Sequence, residues 1–213
     1  MLLVGCLDDK LAVWNVESDE QIKSLTHDDW IIAVAFSSTL IASGSLDNNI
    51  KLWDLTNQVL VKTLNNEDWV LSLAFCPSGQ YLASGSRVKN VRIWDLERHE
   101  IFKTIDAGSW VNSMTYSQDC FLITGSRDGK IIMWTPKSCE EMFSLKSHNG
   151  EVKSVAISPS GKYLVTGGTD KTVKMWNLEE AMSKDEATRN SWSKVSEETA
   201  TGCLLYTSDA ADE

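Results

Sequence analysis

Apolar residues along this chain come in short runs, separated by turns rich in glycine, serine, asparagine and aspartate. One stretch shows the pattern: WIIAVAF (30–36), LIASG (40–44), NIKLW (49–53) and QVLVKTL (58–64) follow one another with short polar turns between them. Short runs that are bounded by turn residues and rich in β-branched side chains are typical of strands. Glycine and serine in the middle of such runs disfavour helices. The pattern therefore predicts an all-β chain with four strands in each repeated stretch.

A tryptophan ends the third run in each stretch of about 40 residues. These tryptophans lie 39, 41, 40 and 42 residues apart: Trp14, Trp53, Trp94, Trp134 and Trp176. The segments that lead up to them align as GCLDDKLAVWN, SGSLDNNIKLWD, SGSRVKNVRIWD, TGSRDGKIIMWT and TGGTDKTVKMWN. A sheet with two apolar faces must be covered on both sides, and stacking copies of the same sheet around an axis does this. The period therefore predicts a repeat protein.

These aligned segments resemble the WD40 β-propeller family over residues 1–178. The resemblance implies four complete four-stranded blades plus a partial N-terminal blade, as a fragment of a larger, commonly seven-bladed propeller. The expected blades are 1–28 (partial), 29–67, 68–108, 109–148 and 149–178 (partly complete). Blades from elsewhere would then cover the outermost sheet faces. Without them, bare faces and unpaired strand edges predict that the 213-residue chain aggregates.

The C-terminal residues depart from the repeat. Residues 179–202 are polar and acidic, which predicts either a linker or the degenerate start of another blade, because Trp192 follows Trp176 at the spacing that separates Trp14 from Trp30. The last eleven residues, CLLYTSDAADE (203–213), resemble a translated sequencing adapter and are interpreted as an artefact. Without their three acidic residues the formal charge changes from -10 to -7.

Composition narrows the range of partners. The acidic balance disfavours direct binding to nucleic acid, which requires clustered lysine and arginine. No apolar stretch approaches the ~20 residues that cross a bilayer, so no membrane association is expected. The five cysteines are scattered singly, without metal-ligand spacing, which favours a reducing intracellular compartment, cytoplasmic or nuclear.

No catalytic, metal or cofactor site is predicted. Asp28 and Asp29 are the nearest approach to an acid and base pair, but adjacent residues on a strand point to opposite faces. His27 and His148 occupy equivalent repeat positions, which indicates an architectural role. In the family that the chain resembles, this histidine joins a buried hydrogen-bond relay. The resemblance implies the relays His27, Ser43, Asp47, Trp53 and His148, Thr166, Asp170, Trp176.

Two repeats depart from the relay pattern. Asn66 and Ala107 stand where histidine is expected, and Val88 replaces the turn aspartate that other repeats carry six residues before their tryptophan. The blades concerned are predicted to be less rigid than the others.

A second set of tryptophans is the main functional signal. Trp30, Trp69 and Trp110 precede the innermost predicted strand of three successive repeats, and Glu151 holds that place in the fourth. The resemblance implies that this position faces the mouth of the central channel. Exposed tryptophans mark interaction surfaces, and tryptophan is enriched at interface hot spots. Two interpretations stay open: the tryptophans bind a partner, or they pack together and plug the channel.

Neighbouring positions extend this candidate surface. The resemblance implies that it also includes Leu46, Arg87, Arg127, Leu71 and Asn112. Apolar residues on one side and basic residues on the other suit a peptide with a hydrophobic anchor and an acidic residue.

The sequence therefore predicts a non-catalytic scaffold that docks proteins or peptides. One alternative is a substrate-recognition or regulatory module of a larger enzyme, such as a ubiquitin ligase or a kinase. The other is a structural subunit of a ciliary, coat or RNA-processing assembly.

Overall fold

The fold is seen in a computed structural model in which every described strand belongs to an antiparallel sheet. The described residues are 2–5, 9–15, 17–178 and 194–199. The chain divides into two compact units, Met1–Gly108 and Ser109–Glu213.

The first unit contains three sheets with the same connectivity. Within each sheet, every strand pairs with the strand that follows it along the chain. The strands are β1 Leu2–Gly5, β2 Lys10–Asn15, β3 Glu20–Thr26, β4 Ile31–Phe36, β5 Leu40–Ser45, β6 Asn49–Asp54, β7 Leu60–Asn65, β8 Val70–Phe75, β9 Tyr81–Ser86, β10 Asn90–Asp95 and β11 Glu100–Asp106. The sheet β1–β3 has three strands, whereas β4–β7 and β8–β11 have four each.

The second unit contains two four-stranded sheets, β12–β15 and β16–β19. Their strands are β12 Val111–Tyr116, β13 Leu122–Ser126, β14 Lys130–Trp134, β15 Glu141–Lys146, β16 Val152–Ile157, β17 Tyr163–Gly168, β18 Thr172–Asn177 and β19 Lys194–Thr199. In the described part of the chain, four four-stranded sheets and one three-stranded N-terminal sheet confirm the predicted all-β class and its four-stranded repeats.

Strand β19 differs from the sequence-based expectation for residues 179–202. Instead of a linker or the start of another blade, β19 pairs with β18, from Thr172 opposite Thr199 to Trp176 opposite Lys194. The described residues of β19 are exposed, as are most residues of the outer strands β3 and β7. Because an outer strand does not require an apolar pattern, the sequence KVSEET could not be told from a linker. Trp192 and residues 203–213 lie outside the described residues.

Sheets are held together by apolar side chains at their faces. In the first unit, Ile50 and Leu52 of β6 are fully buried and share one core with Val70 and Leu73 of β8. Gly44 of β5 allows this approach, because a Cβ at that position would overlap the Val70 side chain. Burial of such side chains at about 25 cal/mol per Å² is the main stabilisation of stacked sheets.

The second unit repeats this packing. Ile131 and Met133 of β14 share a core with Val152 and Val155 of β16. One position differs in the last sheet: Val165 of β17 is 36% exposed, whereas Ala42 at the equivalent position of β5 is fully buried.

Each outer strand carries a β-bulge opposite the repeat tryptophan. In the sheet β4–β7, Leu52 pairs with Lys62 and Trp53 with Leu60, so Val61 has no ladder partner and is exposed. The same shift places one extra residue in each of the four remaining outer strands, β3, β11, β15 and β19. These residues are Ile22, Phe102, Met142 and Val195. Bulges interrupt the regular ladder of an edge strand and so hinder its pairing with another chain.

Candidate functional site

His27 lies in the turn before β4 and connects three polar side chains of the sheet β4–β7. Its Nδ1 lies 2.9 Å from Asp47 Oδ2, and its Nε2 lies 2.7 Å from Ser43 Oγ. Trp53 Nε1 donates to the same Ser43 oxygen at 2.9 Å. The structure thus brings the four residues of the first relay into one buried hydrogen-bonded chain.

The chemistry of the groups orders the protons along this chain. An ionised carboxylate only accepts, so His27 Nδ1 donates to Asp47. Neutral His27 Nε2 must then accept the Ser43 hydroxyl proton, and Ser43 in turn accepts from the Trp53 indole. Every buried polar atom in the relay has a partner, which avoids a penalty of about 1–3 kcal/mol for each atom left alone.

Ionisation within the relay follows from its burial and its hydrogen bonds. Burial lowers the pKa of His27, although the hydrogen bond to Asp47 and the charge of that carboxylate act in the opposite direction. Burial by itself would raise the pKa of Asp47. Hydrogen bonds from the backbone N–H groups of Asp28 and Asn49 and from His27 outweigh it and lower that pKa overall. The relay therefore combines a neutral imidazole with an ionised carboxylate at neutral pH.

Asp47 also connects two separate turns. Its Oδ2 accepts from Asp28 N at 3.0 Å, in the turn before β4, while its Oδ1 accepts from Asn49 N at 2.8 Å, within its own hairpin. Ser45 adds a further link through its hydroxyl to the Asp29 carbonyl at 2.9 Å. The β5–β6 hairpin is therefore fixed to the entry of β4.

The second relay has the same geometry in the sheet β16–β19. Trp176 Nε1 donates to Thr166 Oγ1 at 3.0 Å, and that oxygen lies 2.9 Å from His148 Nε2. His148 Nδ1 lies 2.9 Å from Asp170 Oδ1. Burial of Asp170 opposes ionisation, but hydrogen bonds from Thr172, His148 and the Asn149 N–H lower its pKa well below the usual range.

The sheet β8–β11 builds a different relay from Asn66. Trp94 Nε1 donates to Ser84 Oγ at 2.9 Å, and Ser84 donates to Asn66 Oδ1 at 2.8 Å. Asn66 Nδ2 then donates to the Asp68 carbonyl at 3.1 Å. The amide therefore replaces the imidazole as an acceptor on one side and a donor on the other, and a backbone carbonyl replaces the aspartate. Sequence reasoning noted only that Asn66 stands where histidine is expected, and did not predict that its amide would complete a relay.

In the two sheets without the relay histidine, a side chain within the turn before the first strand accepts the backbone N–H that Asp47 accepts in the sheet β4–β7. Asn65 Oδ1 accepts from Glu67 N at 2.8 Å, and Asp106 Oδ1 accepts from Gly108 N at 2.8 Å. These bonds serve the position that Asp47 serves through Asp28 N. They join residues two apart, so they stabilise the turn but do not fix it to the next hairpin.

The candidate surface of the first unit consists of Trp30, Leu46, Trp69, Leu71 and Arg87. Trp30 and Trp69 are 48% and 38% exposed, and Leu46, Leu71 and Arg87 are half-buried. The Arg87 guanidinium stacks 4.0 Å from the centre of the Trp69 ring. Leu46 N donates to the Trp30 carbonyl at 3.0 Å. Each tryptophan thus lies beside the residue that begins its own sheet's β-hairpin turn.

The second unit repeats this pairing with Trp110, Arg127 and Glu151. The Arg127 guanidinium lies 4.0 Å from the centre of the Trp110 ring, and its Nε lies 3.1 Å from Glu151 Oε1. Glu151 also accepts from Lys153 Nζ at 2.7 Å. The hydrogen bond from Lys153 lowers the pKa of Glu151, and the charge of Arg127 acts in the same direction. Arg127 is therefore matched by a carboxylate within its own unit.

Asn112 has a packing contact that the sequence did not reveal. Its Nδ2 donates to the Val152 carbonyl of the neighbouring sheet at 2.9 Å. Asn112 and Leu71 are also the extra residues of bulges in β12 and β8. A bulge re-aims a side chain, and no sequence signal distinguishes these residues from their neighbours.

The part of the chain that the structure describes contains no cluster of three or more metal-ligating side chains. No helix among these residues is long and apolar enough to cross a membrane.

Similarity to characterised proteins is local. The chain is 47% identical over 62 residues to the p21-activated protein kinase-interacting protein 1-like of Gallus gallus, which covers 29% of this chain and 17% of the relative. It is 43% identical over 56 residues to DDB1- and CUL4-associated factor 13 of Dictyostelium discoideum, covering 26% and 13%. It is 37% identical over 59 residues to small ribosomal subunit protein RACK1y of Oryza sativa subsp. japonica, covering 28% and 18%. The matched stretch thus spans less than a fifth of each relative.

A family model matches most of the chain and agrees with the sheets. The model for the WD domain, G-beta repeat, matches four times, at residues 19–54, 58–95, 100–135 and 139–177. Each match ends at or just after the third strand of a four-stranded sheet, next to its buried tryptophan. With the repeated sheets and the hydrogen-bonded tryptophans, these matches show that the chain belongs to the WD40 repeat family.

Proposed function

We propose that this chain is a non-catalytic scaffold that docks protein or peptide partners. The proposed docking surface is the candidate surface of the first unit, which carries Trp30 and Trp69. The family to which it belongs is generally non-catalytic. The candidate surface of the first unit, as defined above, contains one charged residue, Arg87, and therefore no pair of acidic and basic side chains for proton transfer.

The exposure of Trp30 and Trp69 is the observation that carries the proposal. The repeat tryptophans Trp53 and Trp94 are only 7% and 4% exposed and donate to buried serines. Trp30 and Trp69, by contrast, present 48% and 38% of their surface to solvent. Large exposed aromatic side chains favour a partner that covers them, and tryptophan is prominent among interface hot spots.

The names of two relatives support a protein partner. One relative is named for its interaction with p21-activated protein kinase, and another for its association with DDB1 and CUL4. These names also favour a second candidate, in which the chain is the recognition module of a larger enzyme assembly. The structural-subunit alternative stays open in the same way. Because the chain matches less than a fifth of either relative, the individual partners do not carry over.

The acidic composition supports proteins over nucleic acids as direct partners, with a formal charge of -10. An intracellular location, cytoplasmic or nuclear, fits the five cysteines, which are scattered singly along the sequence.

The test is substitution of the exposed tryptophans in the full chain. The double variant Trp30→Ala and Trp69→Ala should lose the proteins that cross-link to the wild-type chain in cells, measured by mass spectrometry after affinity purification. The temperature of unfolding should change little, because neither indole is buried.

Phe36→Ala is the matched control. Phe36 ends the strand that Trp30 precedes and is 51% exposed, so it is an aromatic side chain at the opposite end of the same strand. Its substitution should leave the cross-linked set unchanged. Equal loss in both variants, or no loss in the tryptophan variant, would contradict docking at this surface. Unfolding of the tryptophan variant alone would instead favour the interpretation in which these side chains only fill the channel.

A further inference from the structure

The hairpin turn between β9 and β10 differs from its equivalents in charge. It consists of Arg87, Val88 and Lys89, whereas the equivalent turns each contain an aspartate at the middle position. These turns are Leu46-Asp47-Asn48, Arg127-Asp128-Gly129 and Thr169-Asp170-Lys171, and the sequence Leu7-Asp8-Asp9 holds the same position in the first repeat. In a chain with a formal charge of -10, this turn therefore carries two cations and no carboxylate.

Val88 makes this turn apolar at its tip as well. Its side chain is 48% exposed, between Arg87 on one side and the exposed Lys89 on the other. Lys89 has a backbone φ of 67°, in the left-handed region, as do Asn48 and Lys171 at the equivalent positions. The tight turn geometry is thus kept, while the side chain that fixes the other turns has been replaced.

Val88 also changes what holds the turn in place. Asp47 fixes the β5–β6 hairpin to the entry of β4 through Asp28 N and His27. Valine has no oxygen and cannot make these bonds. In the sheet β8–β11 the corresponding link is the stack of Arg87 on the exposed Trp69 ring, at 4.0 Å. Stacking uses the flat face of the guanidinium and directs its N–H donors sideways, in the geometry that carboxylates accept.

Glu67, two residues before Trp69, is paired with an arginine of the same sheet. Glu67 Oε2 lies 2.5 Å from Arg92 Nη2, and Arg92 is buried in β10. In the second unit, the equivalent arginine Arg127 lies 3.1 Å from Glu151. The β9–β10 turn combines the positive charges of Arg87 and Lys89 with exposed apolar surface from Trp69 and Val88.

We infer that the surface formed by Trp69, Arg87, Val88 and Lys89 binds an acidic peptide segment that carries one large apolar residue. The apolar residue covers Val88 and the Trp69 ring, and acidic side chains on either side of it contact the Arg87 guanidinium and the Lys89 ammonium. Charge complementarity selects this occupant, because cations flanking an apolar contact favour carboxylates flanking an apolar side chain. This inference rests on the proposed function and specifies the chemistry of the partner.

The test uses a fluorescent ten-residue peptide with a central leucine, two glutamates on each side and otherwise glycine and serine. Its binding to the full chain is measured by fluorescence anisotropy at low and high salt. Binding should weaken as salt is raised, because the contacts are exposed. A peptide with lysines in place of the glutamates, and one with alanine in place of the leucine, should each bind at least fivefold more weakly.

Lys89→Glu and Lys171→Glu form a matched pair of variants. Both lysines are exposed, both hold the third position of their hairpin turn, and both have left-handed backbones, with φ of 67° and 63°. Each substitution changes the net charge equally. Lys89→Glu should weaken the acidic peptide about tenfold, and Lys171→Glu should leave it unchanged. Val88→Asp, which restores the aspartate of the other turns, should also weaken it.

Three results would overturn the inference: no binding of the acidic peptide, equal binding of the lysine peptide, or equal effects of the two charge variants. The cross-linking experiment on Trp30 and Trp69 keeps the two proposals apart. If cross-linking depends on these tryptophans while the acidic peptide fails, the scaffold stands and only the partner chemistry is wrong. If the peptide binds as expected but the tryptophan variant cross-links to the same proteins as the wild-type chain, the turn binds acidic segments and the scaffold surface lies elsewhere.

Discussion

The sheets β4–β7 and β8–β11 have the same strands, the same bulges and the same buried tryptophan, but different polar connections. In the first, Trp53, Ser43, His27 and Asp47 form one relay, and Asp47 extends it to a neighbouring turn. In the second, the relay ends at Asn66 and a backbone carbonyl. Both satisfy the buried serine and indole. Only the first also fixes a hairpin turn to the entry of the inner strand.

This difference separates two roles that His27 and Asp47 fill together in the sheet β4–β7. Satisfying the buried serine requires only an acceptor that can also donate, which either an imidazole or an amide provides. Fixing the hairpin requires a carboxylate that reaches two backbone N–H groups, as Asp47 does. With Val88 in its place, the buried serine and indole of this sheet keep their hydrogen bonds, and the turn gains an exposed apolar and basic tip. The comparison teaches that core stability and surface chemistry can change independently within one repeat.

The largest expected effect comes from removing the imidazole. His27→Ala removes the acceptor of the Ser43 hydroxyl and the side-chain donor to Asp47, and should lower the free energy of unfolding by about 3 kcal/mol. Asn66→Ala removes fewer charge-assisted bonds and should cost about 1–2 kcal/mol. Urea denaturation of both variants beside the wild-type chain measures the difference. Equal losses would show that the two relays contribute alike and would contradict the comparison.

Converting the second relay into the first should give the next effect. The double variant Asn66→His and Val88→Asp supplies an imidazole and a carboxylate at the positions they hold in the sheet β4–β7. A double-mutant cycle should show a favourable coupling of about 1–2 kcal/mol, because each substitution alone lacks its partner. Coupling near zero would mean that the turn geometry of this sheet does not allow the carboxylate to reach the imidazole.

The dependence of stability on pH should differ between His27 and an asparagine at the same position. Burial lowers the folded-state pKa of His27 below its ordinary value of about 6.5. The unfolded chain therefore binds a proton first as the pH falls. Neutral His27 makes its full contribution to the free energy of unfolding above about pH 6.5. This contribution decreases as the pH falls towards the folded-state pKa, by at most about 1.4 kcal/mol per pH unit.

His27→Asn imitates the amide relay and cannot titrate in this range. The variant should lose the part of the slope below about pH 6.5 that belongs to His27, measured by urea denaturation at several pH values. Asp47 contributes in a separate window, since its lowered pKa gives stability that is present above about pH 4 and lost below it. A variant with the wild-type slope above pH 5 would contradict the assignment.

The smallest expected effect is the coupling between Arg87 and Trp69. A double-mutant cycle with Arg87→Gln and Trp69→Leu should give about 0.5–1 kcal/mol, the size of an exposed cation–π contact. The control cycle uses Leu46→Gln and Trp30→Leu, at the equivalent positions of the preceding sheet, where no cation is present. A control coupling as large as the first would assign the effect to apolar contact instead of the cation.

Sequence reasoning was strongest where one residue type has one structural use. The tryptophan period and the alternation of apolar runs with glycine-rich turns predicted every sheet, because each repeat solves the same packing problem. It failed at Lys194–Thr199, since an exposed outer strand has no apolar pattern to detect. It also missed the bulges at Leu71 and Asn112, because the register between strands depends on pairing partners and not on the residue itself.

By itself, the sequence determined the all-β class, the repeat and the candidate tryptophans, because a period of about 40 residues and a few fixed offsets are local properties of the chain. The relay residues followed from the family resemblance that these repeats carry. Only the tertiary structure decided that Asn66 completes a relay, that Arg87 stacks on Trp69, and that Glu67 is paired with Arg92. These contacts join residues 18 to 25 positions apart. Their formation depends on which groups the sheets bring within reach, and no local pattern of the sequence specifies that.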